Sequence, residues 1–230
     1  RKTTKSNSEA RILTLRARIR LFIEHQILVQ DENESFYIYR QIKNGHAYLG
    51  IIGCAAVADY YNKVIKKHEA TIAKREEMFK NYLKATKINA EPVCFTYENN
   101  DVIDQITQKV IIEHPEYDFT TTNRDRHSFW VIDKPEDVEQ IAEAFESVDS
   151  IYIADGHHRS ASSALMGEEL KNKNPNHNGA EAYNYFMGVF IPETELQIFE
   201  FNRLITDIGS LSTAQFLNKI QNKFEVIHVE

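Results

Sequence analysis

The chain has 230 residues, a net charge of −7, 42% hydrophobic residues and 27% charged residues. That length supports one large domain or two small ones with a real core, while no stretch approaches the ~18 apolar residues of a membrane span and no signal-peptide pattern opens the chain. The acidic balance argues against a general nucleic-acid binder, which needs a basic face; Cys54 and Cys94, outside any Cys-x-x-Cys motif, imply neither a disulfide framework nor a zinc cluster and suit the cytoplasm.

The chain opens on the polar run RKTTKSNSE, without Met, and stops at the strand-like FEVIHVE. It reads as a single domain over 1–230, cut from a longer protein. From Ser8 to Leu28, apolar residues at helical spacing (Ile12, Leu15, Ile19, Phe22, Ile23) predict a helix with Ser8 as N-cap. SFYIYRQI, Asn44-Gly45 and HAYLGIIGCAAV predict a β-hairpin with a type I′ turn. ADYYNKVI starts a helix, and IAKREEMFKNYLKAT, after the segment KKHEAT, forms a second, charged one. EPVCFTY reads as a short buried strand, NDVIDQITQKVIIEH as a capped helix, and RHSFWVI as a strand. Pro135 sits near the first turn of the helix EDVEQIAEAFESV.

IYIA is then a strand, and RSASSALMGEELKN a helix of small residues. KNPNHNG is a polar, mobile loop. AYNYFMGVFI and LQIFEFNRLI read as two strands joined by PETE, SLSTAQFLNKI as a helix, and FEVIHV as a closing strand. The fold class is therefore α/β or α+β, with a mixed sheet, hairpins and flanking helices.

Between IYIA and its helix stand Asp155, Gly156, His157, His158 and Arg159. Gly156 permits unusual backbone angles and close approach of a ligand. The following helix presents free N–H groups and a positive dipole end, which suit phosphate or carboxylate. Arg159 adds a planar donor fork. His157 and His158 can donate to the same oxygens or carry protons near neutral pH. Asp155, at the strand's end, can hold Mg²⁺ with phosphates or accept a hydroxyl proton. Simple capping accounts for Asp155, but not for two histidines and an arginine at a positive helix end, which are unfavourable unless an anion neutralises them. Zinc ranks low because the i, i+4 histidine spacing is absent.

This run, with the small-residue helix after it, resembles the signature of DUF1015, a family of bacterial proteins of unknown function. YIYRQ, GIIGCAAVADY, IKKHEAT followed by Arg75-Glu76, HSFWVI and FNRLI resemble that family in order, over nearly the whole chain. The family's N-terminal Pro-Pro-Tyr-Asp element is absent, a Lys-Glu pair is replaced by Arg75-Glu76, and Phe79 stands at a usual Arg. The loop also resembles that of the ParB/sulfiredoxin superfamily, which includes CTP-binding ParB proteins, sulfiredoxins that use ATP, and free serine kinases. The resemblance implies a ParB/sulfiredoxin-like core and a nucleotide phosphate site at Gly156, His157, His158 and Arg159, with ATP, ADP or CTP and Mg²⁺ as cofactors. DUF1015 proteins have also been labelled Spo0J- or ParB-like regulators.

His68, Glu69 and Thr71 lie among Lys66, Lys67, Lys74 and Arg75. A His-Glu pair at a helix boundary can supply a general base, and Thr71 can cap the next helix while touching phosphate; the plain alternative is a solvated turn in which Glu69 neutralises lysines. Arg40 and Arg203 end apolar strands, where each could add a phosphate contact or pair with a nearby acid. Trp130 reads as core, His127 as a partly buried histidine, and His25, His46, His114, His177 and His228 as surface. No Gly-x-Ser-x-Gly elbow, Walker A loop or Gly-x-Gly-x-x-Gly fingerprint is present.

Two functions follow. One is a Mg²⁺- and nucleotide-dependent phosphotransferase or hydrolase acting on a small molecule such as a free amino acid, with Asp155, Glu69 and His68 catalytic. The other is a ParB-like switch that binds nucleotide without turnover. A metabolite sensor that binds a carboxylate or phosphate is the plainer alternative.

Overall fold

The computed structural model describes residues 9–200 and 202–227. The chain forms two compact units, Arg1–Leu196 and Gln197–Glu230. The first is a mixed α/β fold built on an eight-stranded sheet. Its strands are β1 (Phe36–Lys43), β2 (His46–Ala56), β3 (Ile65–Lys66), β4 (Val93–Tyr97), β5 (Tyr117–Thr120), β6 (Arg126–Ile132), β7 (Ile151–Asp155) and β8 (Tyr185–Pro192). They run β3-β7-β4-β8-β2-β1-β6-β5 across the sheet. The pairs β3/β7 and β4/β8 are parallel, and the other pairs are antiparallel.

Local chemistry sets the element ends. Asn44 and Gly45 both take positive φ (52° and 80°), as the type I′ turn between β1 and β2 requires. Helices α1 (Glu9–Glu24), α2 (Val57–Tyr61) and α3 (Ala73–Thr86) follow in chain order around the first three strands. Helix α4 (Asp101–Val110) is capped by Asn100, whose side chain accepts from the N–H groups of Val102 and Ile103 at 3.0 and 3.3 Å. Helix α5 (Pro135–Glu146) begins on Pro135, where the missing N–H costs nothing.

Helix α6 (His157–Lys173) buries Ser160, Ala161, Ser162, Ser163 and Ala164. These small side chains let it lie close on β4, β8 and α3. Lysines 80 and 84 from α3 and Lys173 meet the single carboxylate of Glu169 at 3.1, 2.5 and 2.6 Å. The rings of Phe95, Phe145 and Phe190 pack together, joining β4, α5 and β8, within one core that also includes Ile38, Ile51, Ile153 and Trp130.

The second unit contains α7 (Thr213–Gln221), opened by a capping box between Ser212 and Gln215. The expected strand over 196–205 is not formed; its described residues have no regular structure, and Ile198, Phe199 and Leu204 are exposed. The described part of FEVIHV, residues 224–227, likewise forms no strand. Alternating apolar residues make a strand only where a neighbouring strand accepts their backbone groups. Ser8 and His228 lie outside the described residues, and α1 ends at Glu24 rather than at Leu28. Strands β3 and β5 were not expected from the sequence. No helix among the described residues is long and apolar enough to cross a membrane.

Candidate functional site

The site lies beyond the C-terminal ends of β3 and its parallel neighbour β7, which runs three residues further to Asp155. Ile65 and Lys66 pair in parallel with Ile151 and Tyr152. Two short loops, Lys67–Thr71 and Asp155–Gly156, therefore leave the same end of the sheet together. The crevice beyond the carboxyl ends of parallel strands is a common ligand position in α/β sheets.

Gly156 is the N-cap of α6, with φ 104°, and no side chain caps the helix. A Cβ at this position would lie 2.9 Å from Arg159 Nε, so both backbone angle and space favour glycine. The first helical hydrogen bond runs from the Ser160 N–H to the Gly156 carbonyl at 3.0 Å. The N–H groups of His157, His158 and Arg159 thus precede the ladder and form the positive end of a helix of 17 residues.

Asp155 does not cap this helix. Its carboxylate takes Arg159 Nη2 at 2.5 Å, while Glu91 takes Nη1 at 2.6 Å. The guanidinium is held between two carboxylates that are themselves largely exposed, at 79% for Asp155 and 76% for Glu91. Glu91 is a site residue that the sequence reading missed. The sheet register accounts for its position: Cys94 sits opposite Asp155, so the residues just before β4 lie beyond the end of β7.

His157 is 5% exposed and turns toward the β3 loop. Its Nε2 accepts the backbone N–H of His68 at 3.4 Å, and the two imidazoles meet edge to face at 4.4 Å. An accepting Nε2 leaves the proton of the neutral ring on Nδ1, which faces Glu69 Oε2 at 3.6 Å. Burial and the neighbouring His68 push the His157 pKa down, against the pull of Glu69 and Asp155. The His157 ring therefore bridges the two loops, with Nε2 on the His68 backbone and Nδ1 toward Glu69. His158 is half-buried, and its Nδ1 is buried with no hydrogen-bond partner.

The structure thus gathers His68, Glu69, Asp155, Gly156, His157, His158 and Arg159. Arg40 is not among them. Thr71 is next to the cap of α3, but that cap is Ile72, and no side chain bonds there. Arg40 lies on β1, with β4, β8 and β2 between it and β7. Four strand spacings place it roughly 19 Å away. There it donates to Ser128 Oγ at 3.2 Å and lies over the Trp130 ring, 4.8 Å from the centroid. His127 stacks between Tyr39 and Phe119, on a different part of the sheet. Arg203 is exposed in the second unit, outside any helix or strand. His177, read as a surface residue, is half-buried against Glu181 and Tyr183, at 2.9 and 3.0 Å.

A cavity of about 320 Å³ opens beside the loop, with Arg159 and Glu91 on its wall and α1, α3 and α6 around it. Chemically, the site offers three free-standing N–H groups, a guanidinium, an orphan imidazole nitrogen and three carboxylates. That set suits a polyanion accompanied by a cation.

The sheet and site define a mixed α/β protein with an open helix N-terminus at its strand ends. The chain belongs to the family described as protein of unknown function (DUF1015), whose model matches residues 1–230. Neither the curated proteins nor the solved structures give a match.

Proposed function

We propose that the protein binds the phosphate chain of a nucleotide at the N-terminus of α6 and uses it in a Mg²⁺-dependent transfer or hydrolysis on a small molecule. The observation that carries this reading is the uncapped start of α6, with the orphan Nδ1 of His158 beside it. Buried polar atoms and helix N–H groups are costly to leave unpaired, and a phosphate oxygen satisfies both. The likeness of the loop to that of ParB proteins and free serine kinases supports the same ligand class.

In this reading the N–H groups of His157, His158 and Arg159 hold phosphate oxygens. Arg159 must exchange a carboxylate for phosphate, which is the bidentate partner its fork also fits. Among the described residues no group of three or more His, Cys, Asp or Glu side chains forms a metal cage. The donor set fits Mg²⁺, which is commonly held by one or two carboxylates and the substrate's own phosphates. Asp155, with Glu91 near it, would hold that ion, which supplies neutralisation of phosphate charge. Asp155 also stands where it can accept a proton from an acceptor hydroxyl, and Glu69, oriented by His157, offers a second acid/base group. A free amino acid with a hydroxyl side chain is the substrate class to try first.

The test is consumption of ATP, ADP or CTP with Mg²⁺, with and without free serine as acceptor, read as the shortened nucleotide together with free phosphate or phosphorylated acceptor, comparing the wild type with Asp155→Asn. The expected result is turnover by the wild type, loss of turnover in Asp155→Asn, and nucleotide binding preserved. Equal turnover in Asp155→Asn refutes the catalytic assignment. Binding without turnover by the wild type, with acceptor present, moves the protein to the class of nucleotide-dependent switches.

A further inference from the structure

We infer that the cavity beside Arg159 receives the planar base of the nucleotide whose phosphates lie at the start of α6. The inference rests on the phosphate reading above and adds a second half to the same site.

The loop and the cavity are continuous. Arg159 and Glu91 belong both to the loop and to the cavity wall. The guanidinium is fixed at two of its nitrogens, so the passage from anion site to cavity has a defined position. A ligand bound at one end of this arginine has its next atoms at the cavity mouth.

Leu15 comes from α1, Phe79, Tyr82 and Leu83 from α3, and Met187 from β8. Phe79 and Tyr82 are three residues apart and share one face of α3. Aromatic rings and thioethers present flat, polarisable surface to a ring ligand. Asn89 and Glu91 of the α3–β4 turn join Arg159 as polar groups of the wall, and Arg11 of α1 and Ser163 of α6 add two more. An apolar body with hydrogen-bonding groups at its edges is the shape of a nucleobase. An aliphatic chain would fill the same wall but leave the Asn89 amide and the turn unused.

At about 320 Å³ the cavity is at the lower end of the small-molecule range, roughly 300–1,000 Å³. It suits a base with part of its sugar rather than a whole triphosphate, so the phosphates must lie outside it, on the side of Arg159.

The test compares ATP and CTP with tripolyphosphate, which has the phosphate chain and no base, by calorimetric titration of the full chain with Mg²⁺. Ala90 is exposed, lies outside any helix or strand and lines the cavity. Ala90→Trp therefore fills the mouth without touching the core. Tyr82→Ala removes a wall instead of adding one. The better nucleotide should bind at least about tenfold more tightly than tripolyphosphate. Both variants should erase that margin while keeping tripolyphosphate affinity within about twofold of the wild type. Equal affinity of all three ligands for the wild type, or a margin that survives both variants, overturns the base pocket and leaves the phosphate site standing. Failure of all three to bind overturns the phosphate reading, and the base pocket falls with it.

Discussion

The ring of His157 accepts the backbone N–H of His68 at 3.4 Å, joining two loops that are 89 residues apart in sequence. This bond decides the tautomer of His157 and turns its Nδ1–H toward Glu69. Stability should therefore depend on pH through His157. Its folded pKa is depressed below the ordinary 6.5 by burial and by His68, with His158 adding to the depression and Glu69 and Asp155 opposing it. The unfolded chain then takes up the proton more readily than the folded one. The contribution is full above pH 6.5 and is lost as pH falls through the folded value. Thermal midpoints measured from pH 8 down to 5 should decline less steeply in His157→Gln than in the wild type. Parallel profiles would show that the clamp is not what titrates.

Arg159 is shared between Asp155 and Glu91, so any anion must compete for it. Releasing one carboxylate should help the anion. Exposed ion pairs are worth about 0.2–1 kcal/mol, so Glu91→Gln should tighten tripolyphosphate binding by roughly 1.4-fold to fivefold in the absence of Mg²⁺. Weaker binding in this variant would mean that Glu91 positions Arg159 rather than competes for it.

Gly156 holds φ at 104° with the Arg159 guanidinium where a Cβ would go. Gly156→Ala should cost about 1–2 kcal/mol from the backbone alone. Displacing Arg159 should weaken anion binding as well. Denaturant unfolding and a phosphate titration read the two effects separately, and unchanged values in both would contradict the geometry.

Glu169 ties α6 to α3 through Lys80 and Lys84, with Lys173 of its own helix as a third partner. The hydrogen bonds from Lys173, Lys84 and Lys80 hold its pKa well below the ordinary 4.5. The stabilisation is present above pH 4.5 and is lost as pH falls. Glu169→Gln should lower the thermal midpoint at pH 7, and the gap from the wild type should close as the pH drops below 4. A gap of constant size would assign the loss to packing instead.

Much of the loop itself was legible in the sequence. An apolar strand, a glycine and a small-residue helix give the strand–turn–helix directly, and Asn44-Gly45 gives the hairpin. The partnership with His68 and Glu69 was expected through the family resemblance and not from periodicity, because β3 is only Ile65 and Lys66 and too short to show a period. Glu91 was hidden for a related reason: its position follows from the antiparallel register of β4 on β7, which is a tertiary fact. The run LQIFEFNRLI misled in the opposite direction, since strand-like composition does not supply a neighbouring strand. Arg40 ends up on a distant strand because sheet order, unlike chain order, sets which side chains meet.

The central claim is that one anion site is centred on Gly156 to Arg159. Calorimetric titration of the full chain with the Mg²⁺ complexes of ATP, ADP and CTP, in the wild type and in Arg159→Ala, tests it most directly. Saturable binding of at least one nucleotide to a single site, lost in Arg159→Ala, is the expected result. No binding by the wild type, or binding undiminished in Arg159→Ala, would contradict it.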